Sequence, residues 1–153
     1  MNELKAKIHK AQSEGDIASL YVLEAQAHET FDDDTLMAYY ANILDLALER
    51  LTNALENLER LDMAEVQDFA TLRALYEYAV EHYSAGSATD ASALFEVIGG
   101  LSEDEAFNEA MKIHRSACDA QIPFDDFIEQ YVDMNATQES GKFYISFFTK
   151  EIV

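Results

Sequence analysis

The sequence predicts an all-α fold, and three observations lead to that prediction. Residues Thr35 to Leu61 contain neither glycine nor proline and are rich in alanine, leucine and glutamate, which are strong helix formers. Apolar residues recur at helical spacing along most of the chain, and only the segment 142–153 has a strand-like composition. We therefore expect one domain over residues 1–153, with seven or eight helices packed around a long central helix at 35–61.

The predicted helix at 35–61 carries a wide apolar stripe. The stripe repeats every seven residues in three registers: Leu44, Leu51 and Leu58; Ala47, Ala54 and Leu61; Leu48 and Leu55. Three apolar positions per heptad favour a helix buried in a globular bundle over one in a two-stranded coiled coil. We expect Asp33 or Asp34 to cap its N-terminus, where a carboxylate accepts from unpaired backbone N–H groups.

Two helices are predicted before this stretch. Residues 2–13 place Leu4, Ile8 and Ala11 on one face, and Gly15 ends that helix. Asp16 is then in position to cap a second helix, which we expect from Ile17 to about Glu29.

Two capping boxes follow the predicted central helix. Asp62 with Glu65 predicts a helix that begins near residue 63 and stops at residues 85–86. Ser102 with Glu105 predicts another, which ends at about residue 118. Between them we expect a short helix over 91–98, capped by Thr89 or Asp90 and closed by two glycines at 99–100.

The last third of the chain is less regular. Pro123 predicts the start of a helix through residues 124–131, and residues 135–141 are predicted to be a loop. For segment 142–153 we favour a docked helix, because no other segment of the chain is a candidate strand to pair with it. The alternative is a strand that pairs with the sheet edge of a partner.

Composition restricts the classes of function. The chain has 30 acidic and 10 basic residues, for a formal net charge of −20, which disfavours direct binding to nucleic acid or to anionic membranes. No apolar run approaches the length of about 20 residues that spans a membrane, and residues 1–10 do not resemble a signal peptide. We expect a cytoplasmic protein, whose acidity either attracts a basic partner or only keeps it soluble.

No catalytic or metal-binding motif is evident. The four histidines, His9, His28, His82 and His114, fall on four different predicted helices, and the chain contains neither Glu-x-x-His nor His-Glu-x-x-His. Cys118 has small apolar neighbours, which predicts a buried hydrophobic residue rather than a nucleophile. We therefore predict no catalytic residues, no metal and no cofactor. An enzyme or metalloprotein with a site assembled from scattered residues remains an alternative.

Residues 75–98 resemble a single tetratricopeptide repeat, a helix–turn–helix unit of 34 residues. The residues that match the pattern of that family are Leu75, Tyr78, Ala79, Gly86, Ala91 and Phe95. The sequence departs from it at His82, where the family usually has Tyr, at Ile98, which replaces a small residue, and at Glu103, which stands in place of the closing proline. No second good copy follows, so the fold is either an irregular bundle or a stack of similar helix pairs.

The resemblance implies a protein-binding role. Small acidic tetratricopeptide-like proteins of bacteria are commonly secretion chaperones or adaptors, and the family's concave face would carry Arg73, Tyr76, Val80 and Tyr83. Ordinary core packing is the alternative for Tyr76 and Val80. We expect a non-catalytic module with a protein partner, and a homodimer is also open. The other possibility is an acidic inhibitor or immunity protein that imitates nucleic acid, with Asp32, Asp33 and Asp34 as its densest point.

Overall fold

A computed structural model describes residues 2–152, and over this range the protein is all-helical, as predicted. Nine helices lie within these residues: α1 Asn2–Glu14, α2 Ile17–Val22, α3 Glu24–Thr30, α4 Asp33–Glu56, α5 Val66–Ser84, α6 Ala88–Leu101, α7 Glu105–Asp119, α8 Phe124–Tyr131 and α9 Met134–Ser140. The number exceeds the seven or eight expected, because the predicted helix at 17–29 is interrupted at Leu23 and α9 occupies a predicted loop. None of the described helices is long and apolar enough to cross a membrane.

The helix at the centre of the bundle is α5, not α4. It packs against α2, α4, α6 and α8. Its buried residues cover roughly two thirds of the helix circumference: Asp68, Ala70, Thr71, Leu72, Ala74, Leu75, Tyr76, Ala79 and Tyr83. By contrast, α4 buries only one side, through Tyr39, Ile43, Ala47 and Ala54. The prediction of a central helix at 35–61 is therefore wrong in its choice of helix.

The predicted helix at 35–61 is also too long at its C-terminal end. It ends at Glu56, and Leu58 has a positive φ of 54° and is 93% exposed. The chain turns away from the helix at Leu58, and the backbone N–H of Leu61 then donates to the carbonyl of Leu101 at 2.7 Å. A continued helix would direct that N–H to Asn57 instead. Leu61 is buried as predicted, although not as part of a helix.

The helix caps are partly as predicted. The Asp16 carboxylate accepts from the backbone N–H of Ser19 at 3.0 Å and so caps α2, which confirms that prediction. Helix α4 is capped by Asp32, rather than by Asp33 or Asp34, and α7 is capped by Asp104, rather than by Ser102. In both cases the capping residue is the last one with extended backbone before the helix, which is the conformation an N-cap requires.

Helix α5 also begins later than the capping box suggested, at Val66 rather than near residue 63. The Asp62 carboxylate instead accepts from the N–H of Ala64, at 2.9 Å, within a short turn. The buried Asp68 carboxylate holds this turn against α5 by accepting from the backbone N–H of Asp62, also at 2.9 Å.

The two glycines at 99–100 lie inside α6 and do not end it. A Cβ atom at Gly99 would lie 3.2 Å from the Cβ of Met111 on α7. Glycine therefore allows α6 and α7 to approach closely, which is the reason for its presence in the helix.

The chain after α8 differs from the prediction in two places, the predicted loop at 135–141 and the segment 142–152. Residues 134–140 form α9, capped by Asp133, and segment 142–152 is neither helix nor strand apart from one isolated bridge between Val132 and Phe148. Two of its backbone N–H groups are paired with a side chain of α9: Ser146 and Phe147 donate to the Thr137 hydroxyl at 3.3 and 3.2 Å. Such pairing satisfies the backbone without regular secondary structure.

Candidate functional site

The structure does not bring the four predicted binding residues together on one open face. Tyr76 and Tyr83 are 4% and 3% exposed, and Val80 is partly buried against the core. The Tyr83 hydroxyl donates to the carbonyl of Ile122 at 2.5 Å, in the turn before α8. Both tyrosines therefore hold core elements together, which agrees with the core-packing alternative for Tyr76.

Of the predicted binding residues, Tyr83 lines one cleft, described below, and Arg73 lies beside another, which is open and has polar walls. This cleft, which we name the acidic groove, has a volume of about 530 Å³ and lies between α2, α3, α4 and α5. Buried Ile43 and Ala74 contribute to its apolar floor. Its walls carry three tyrosines and three glutamates: Tyr21, Tyr40 and Tyr78; Glu24, Glu77 and Glu81.

Helical spacing on α5 builds one wall of the acidic groove. Ala74, Glu77, Tyr78 and Glu81 follow the i, i+3, i+4, i+7 pattern of a single helix face. The opposite wall comes from α4 and from the bend at Leu23, where α2 ends with Tyr21 nearby and α3 begins with Glu24. The spacing of Glu77 and Glu81 was a usable signal in the sequence, but it did not reveal which other helices face it.

Within the groove wall, the Arg73 guanidinium is bound by carboxylates and by an aromatic ring. Its Cζ atom lies 3.9 Å from the centre of the Tyr21 ring. Its terminal nitrogen lies 3.3 Å from Glu24 Oε1, and its Nε lies 3.7 Å from Glu77 Oε2. A cation that combines ring stacking with charged hydrogen bonds is well held at a partly desolvated site.

The tyrosine hydroxyls extend this network. Tyr21 donates to Glu77 Oε1 at 2.6 Å, and Tyr40 donates to Glu24 Oε2 at 2.5 Å. Burial, followed by the neighbouring carboxylates, raises the pKa of both tyrosines above their usual range. Both hydroxyls are therefore protonated donors at neutral pH, and they fix the orientation of the two glutamates.

The groove retains a negative charge. Three carboxylates face one guanidinium, so two formal negative charges are left over. Glu81 is exposed and forms no ion pair with any residue in the range 2–152. The arrangement offers carboxylate oxygens, aromatic faces and an apolar floor, which together suit an organic cation.

A second cleft, of about 680 Å³, lies between the end of α5 and the start of α8. Cys118 contributes to its lining but is only 3% exposed, and burial raises the pKa of its thiol to about 12. The thiol is protonated at neutral pH and is a poor nucleophile, in agreement with its prediction as a buried hydrophobic residue.

The histidines lie on α1, α3, α5 and α7, and no three His, Cys, Asp or Glu side chains of the described residues come together as metal ligands would.

No protein-family model matches this chain, and comparisons with curated proteins and with solved structures gave no match. The geometry of the molecule is therefore the basis for a functional proposal.

Proposed function

We propose that this protein is a non-catalytic, acidic helical protein-binding module, with the role of an adaptor or chaperone, and that the acidic groove is its contact surface. The observation that carries the proposal is the cleft between α2, α3, α4 and α5, with its tyrosine and glutamate walls over an apolar floor. Tyrosine provides amphipathic contact area at a low cost in conformational entropy, which is why it is common at binding surfaces.

The lip of the groove supports this role. Met37 lines the cleft, and its side chain is 70% exposed and so accessible to a partner. A flexible thioether can adapt to different partner side chains. Grooves between helices commonly accept a short partner segment in this way. The resemblance of residues 75–98 to a tetratricopeptide repeat implies the same class of function.

The proposal is tested by selecting peptides from a random library displayed on phage against the full chain. Binding is then mapped by amide chemical shifts. We expect selected peptides to shift residues of the groove, and Met37→Ser to weaken their binding. Leu55→Ser is the matched control, because Leu55 is also exposed and lies on the same helix, roughly 27 Å further along it.

Two outcomes of that selection count against the proposal. The first is a library that yields no binder. The second is a set of binders that map to another surface and respond equally to Met37→Ser and Leu55→Ser. Either result would remove the groove as the contact surface of the protein.

A second candidate function is an acidic inhibitor that imitates nucleic acid. The observation that favours it is the exposure of Asp32, Asp33 and Asp34 at the start of α4, in a chain with a net charge of −20. Salt dependence separates the two functions. An imitation of nucleic acid should lose at least about a thousandfold in partner affinity between roughly 50 and 200 mM salt, whereas a groove binder should lose only a few-fold. We expect the shallow dependence.

A further inference from the structure

We propose that the acidic groove binds the guanidinium or ammonium group of an arginine or lysine side chain in a partner protein. An apolar side chain of the same partner segment would pack against Met37 and Leu44. This inference rests on the proposed function, because it specifies the chemistry of the partner that the same groove accepts.

The protein's own Arg73 demonstrates that these walls bind a guanidinium. Its side chain is 30% exposed, stacks on Tyr21 at 3.9 Å and reaches the carboxylates of Glu24 and Glu77. These are the two interactions by which proteins generally hold arginine, namely a cation over an aromatic face and a charge-assisted hydrogen bond. A second cation at the same walls would find the same two types of group.

The groove has unused capacity for that second cation. The volume of about 530 Å³ is space that remains with Arg73 already in place. Glu81, one turn beyond Glu77 on α5, has no basic partner among the described residues, and Tyr78 on the same face presents a further aromatic ring. A carboxylate oxygen also has two acceptor positions, so Glu77 can accept from a guest as well as from Tyr21.

Charge and polarity exclude other classes of guest. An anion would meet two uncompensated negative charges, and a neutral apolar segment would leave the Glu81 carboxylate without a partner. A free polyamine would satisfy the carboxylates but not the exposed thioether of Met37 or the partly buried Leu44. A protein segment with an apolar and a cationic side chain uses all of these features.

The test titrates the full chain with three probes, followed by amide chemical shifts at about 50 mM salt. The first is a blocked six-residue peptide with one leucine and one arginine among glycines and serines. The second is the same peptide with citrulline, a neutral isostere, in place of arginine. The third is spermidine. We expect the arginine peptide to shift the amides of Met37, Tyr78 and Glu81, and the citrulline peptide to bind several-fold more weakly.

Glu81→Gln provides the specific variant, because its side chain is exposed and carries no internal ion pair. It should weaken the arginine peptide about two- to fivefold, as expected for one partly solvated ion pair. Glu129→Gln on α8 makes the same change in net charge on a helix that does not line the groove, and it should leave the affinity unchanged. Equal weakening by the two variants would overturn the proposal, since it would indicate only the general negative field.

Met37→Ser distinguishes the two sources of a cation. It should weaken the leucine–arginine peptide but not spermidine, and binding of spermidine alone would assign the groove to a polyamine and overturn the proposal.

The proposed function can fail separately from this inference. If library peptides map to the groove but are not enriched in arginine or lysine, the groove is a binding surface and only this inference is wrong. If nothing binds there, both are wrong.

Discussion

The Tyr76 hydroxyl lies 2.8 Å from Nε2 of His114, and this contact ties together three separate parts of the fold. His114 Nδ1 lies 2.6 Å from the carbonyl of Ala110, which can only accept, so Nδ1 carries the proton and Nε2 accepts from Tyr76. The Tyr76 oxygen in turn accepts from the backbone N–H of Ile145 at 3.1 Å. Helix α5, helix α7 and segment 142–152 are thus linked through fully satisfied buried polar groups.

The buried His114 predicts that the folded protein loses stability in mild acid. Burial lowers the pKa of His114 from 6.5 to about 4. Between these values the unfolded chain binds a proton and the folded protein does not. The stability of the folded state is therefore complete above pH 6.5 and falls by up to about 3 kcal/mol as the pH decreases towards 4.

Urea unfolding at several pH values, for the native sequence and for His114→Gln, measures this effect. Protonation of the many carboxylates also changes stability in this range, but it does so equally in both proteins. We expect the variant to lose less stability than the native sequence between pH 6.5 and 4. Parallel curves would contradict the assignment of the loss to His114.

Tyr76→Phe should destabilise the protein by about 1–3 kcal/mol, because it leaves His114 Nε2 and the N–H of Ile145 without partners in the core. Chemical denaturation gives the magnitude. Tyr78→Phe is the control, since the Tyr78 hydroxyl makes no hydrogen bond within residues 2–152 and that change should be nearly neutral. Equally small losses in the free energy of unfolding for both variants would show that the hydroxyl of Tyr76 adds nothing to stability and that only its ring contributes, through packing.

The two adjacent glycines of α6 should respond differently to alanine. Gly100→Ala meets no neighbouring atom within 4 Å and should stabilise the helix by about 0.5–1 kcal/mol. Gly99→Ala gains the same helix propensity, but its new Cβ would lie 3.2 Å from Met111, so packing strain should cancel that gain or exceed it. Thermal unfolding compares the two variants. An equal rise in Tm would show that α6 and α7 can separate at no cost.

Asp104→Ala should cost about 1 kcal/mol, because it removes the carboxylate that accepts from the N–H of Phe107 at the start of α7. Glu105→Ala, one residue later, removes an acidic side chain from the first turn without removing the cap and should cost less. Denaturation midpoints of the two variants test whether the cap is at residue 104. A larger loss at Glu105 would instead favour the capping box that the sequence suggested.

Local features of the fold were predictable from the sequence, and the reason is that they depend on neighbouring residues. Asp16 caps its helix through a residue three positions away, and Gly86 adopts a positive φ at the turn between α5 and α6. The small Ala79 and Ala91 and the aromatic Phe95 are buried in that helix pair, as the packing of two close helices requires.

Features that depend on distant residues were not predictable. The leucine periodicity predicts a helix that continues past Glu56, but there the chain turns away, and the N–H of Leu61 donates to the carbonyl of the distant Leu101. The groove is a similar case, because Glu24 meets Arg73 only after three helices have packed. Tyr76 has the spacing of a surface position in a repeat, and the segment that covers it lies 69 residues further along the chain.

The central position of α5 determines how the protein should unfold. In an array of helical repeats each unit contacts only its neighbours, so one end can melt while the other persists. Here α2 and α4 pack on α5 from the N-terminal half of the chain, and α6 and α8 pack on it from the C-terminal half. Loss of either group exposes apolar residues of the same helix to water. Denaturation is therefore expected to be a single cooperative transition, with no partly folded fragment populated along the way.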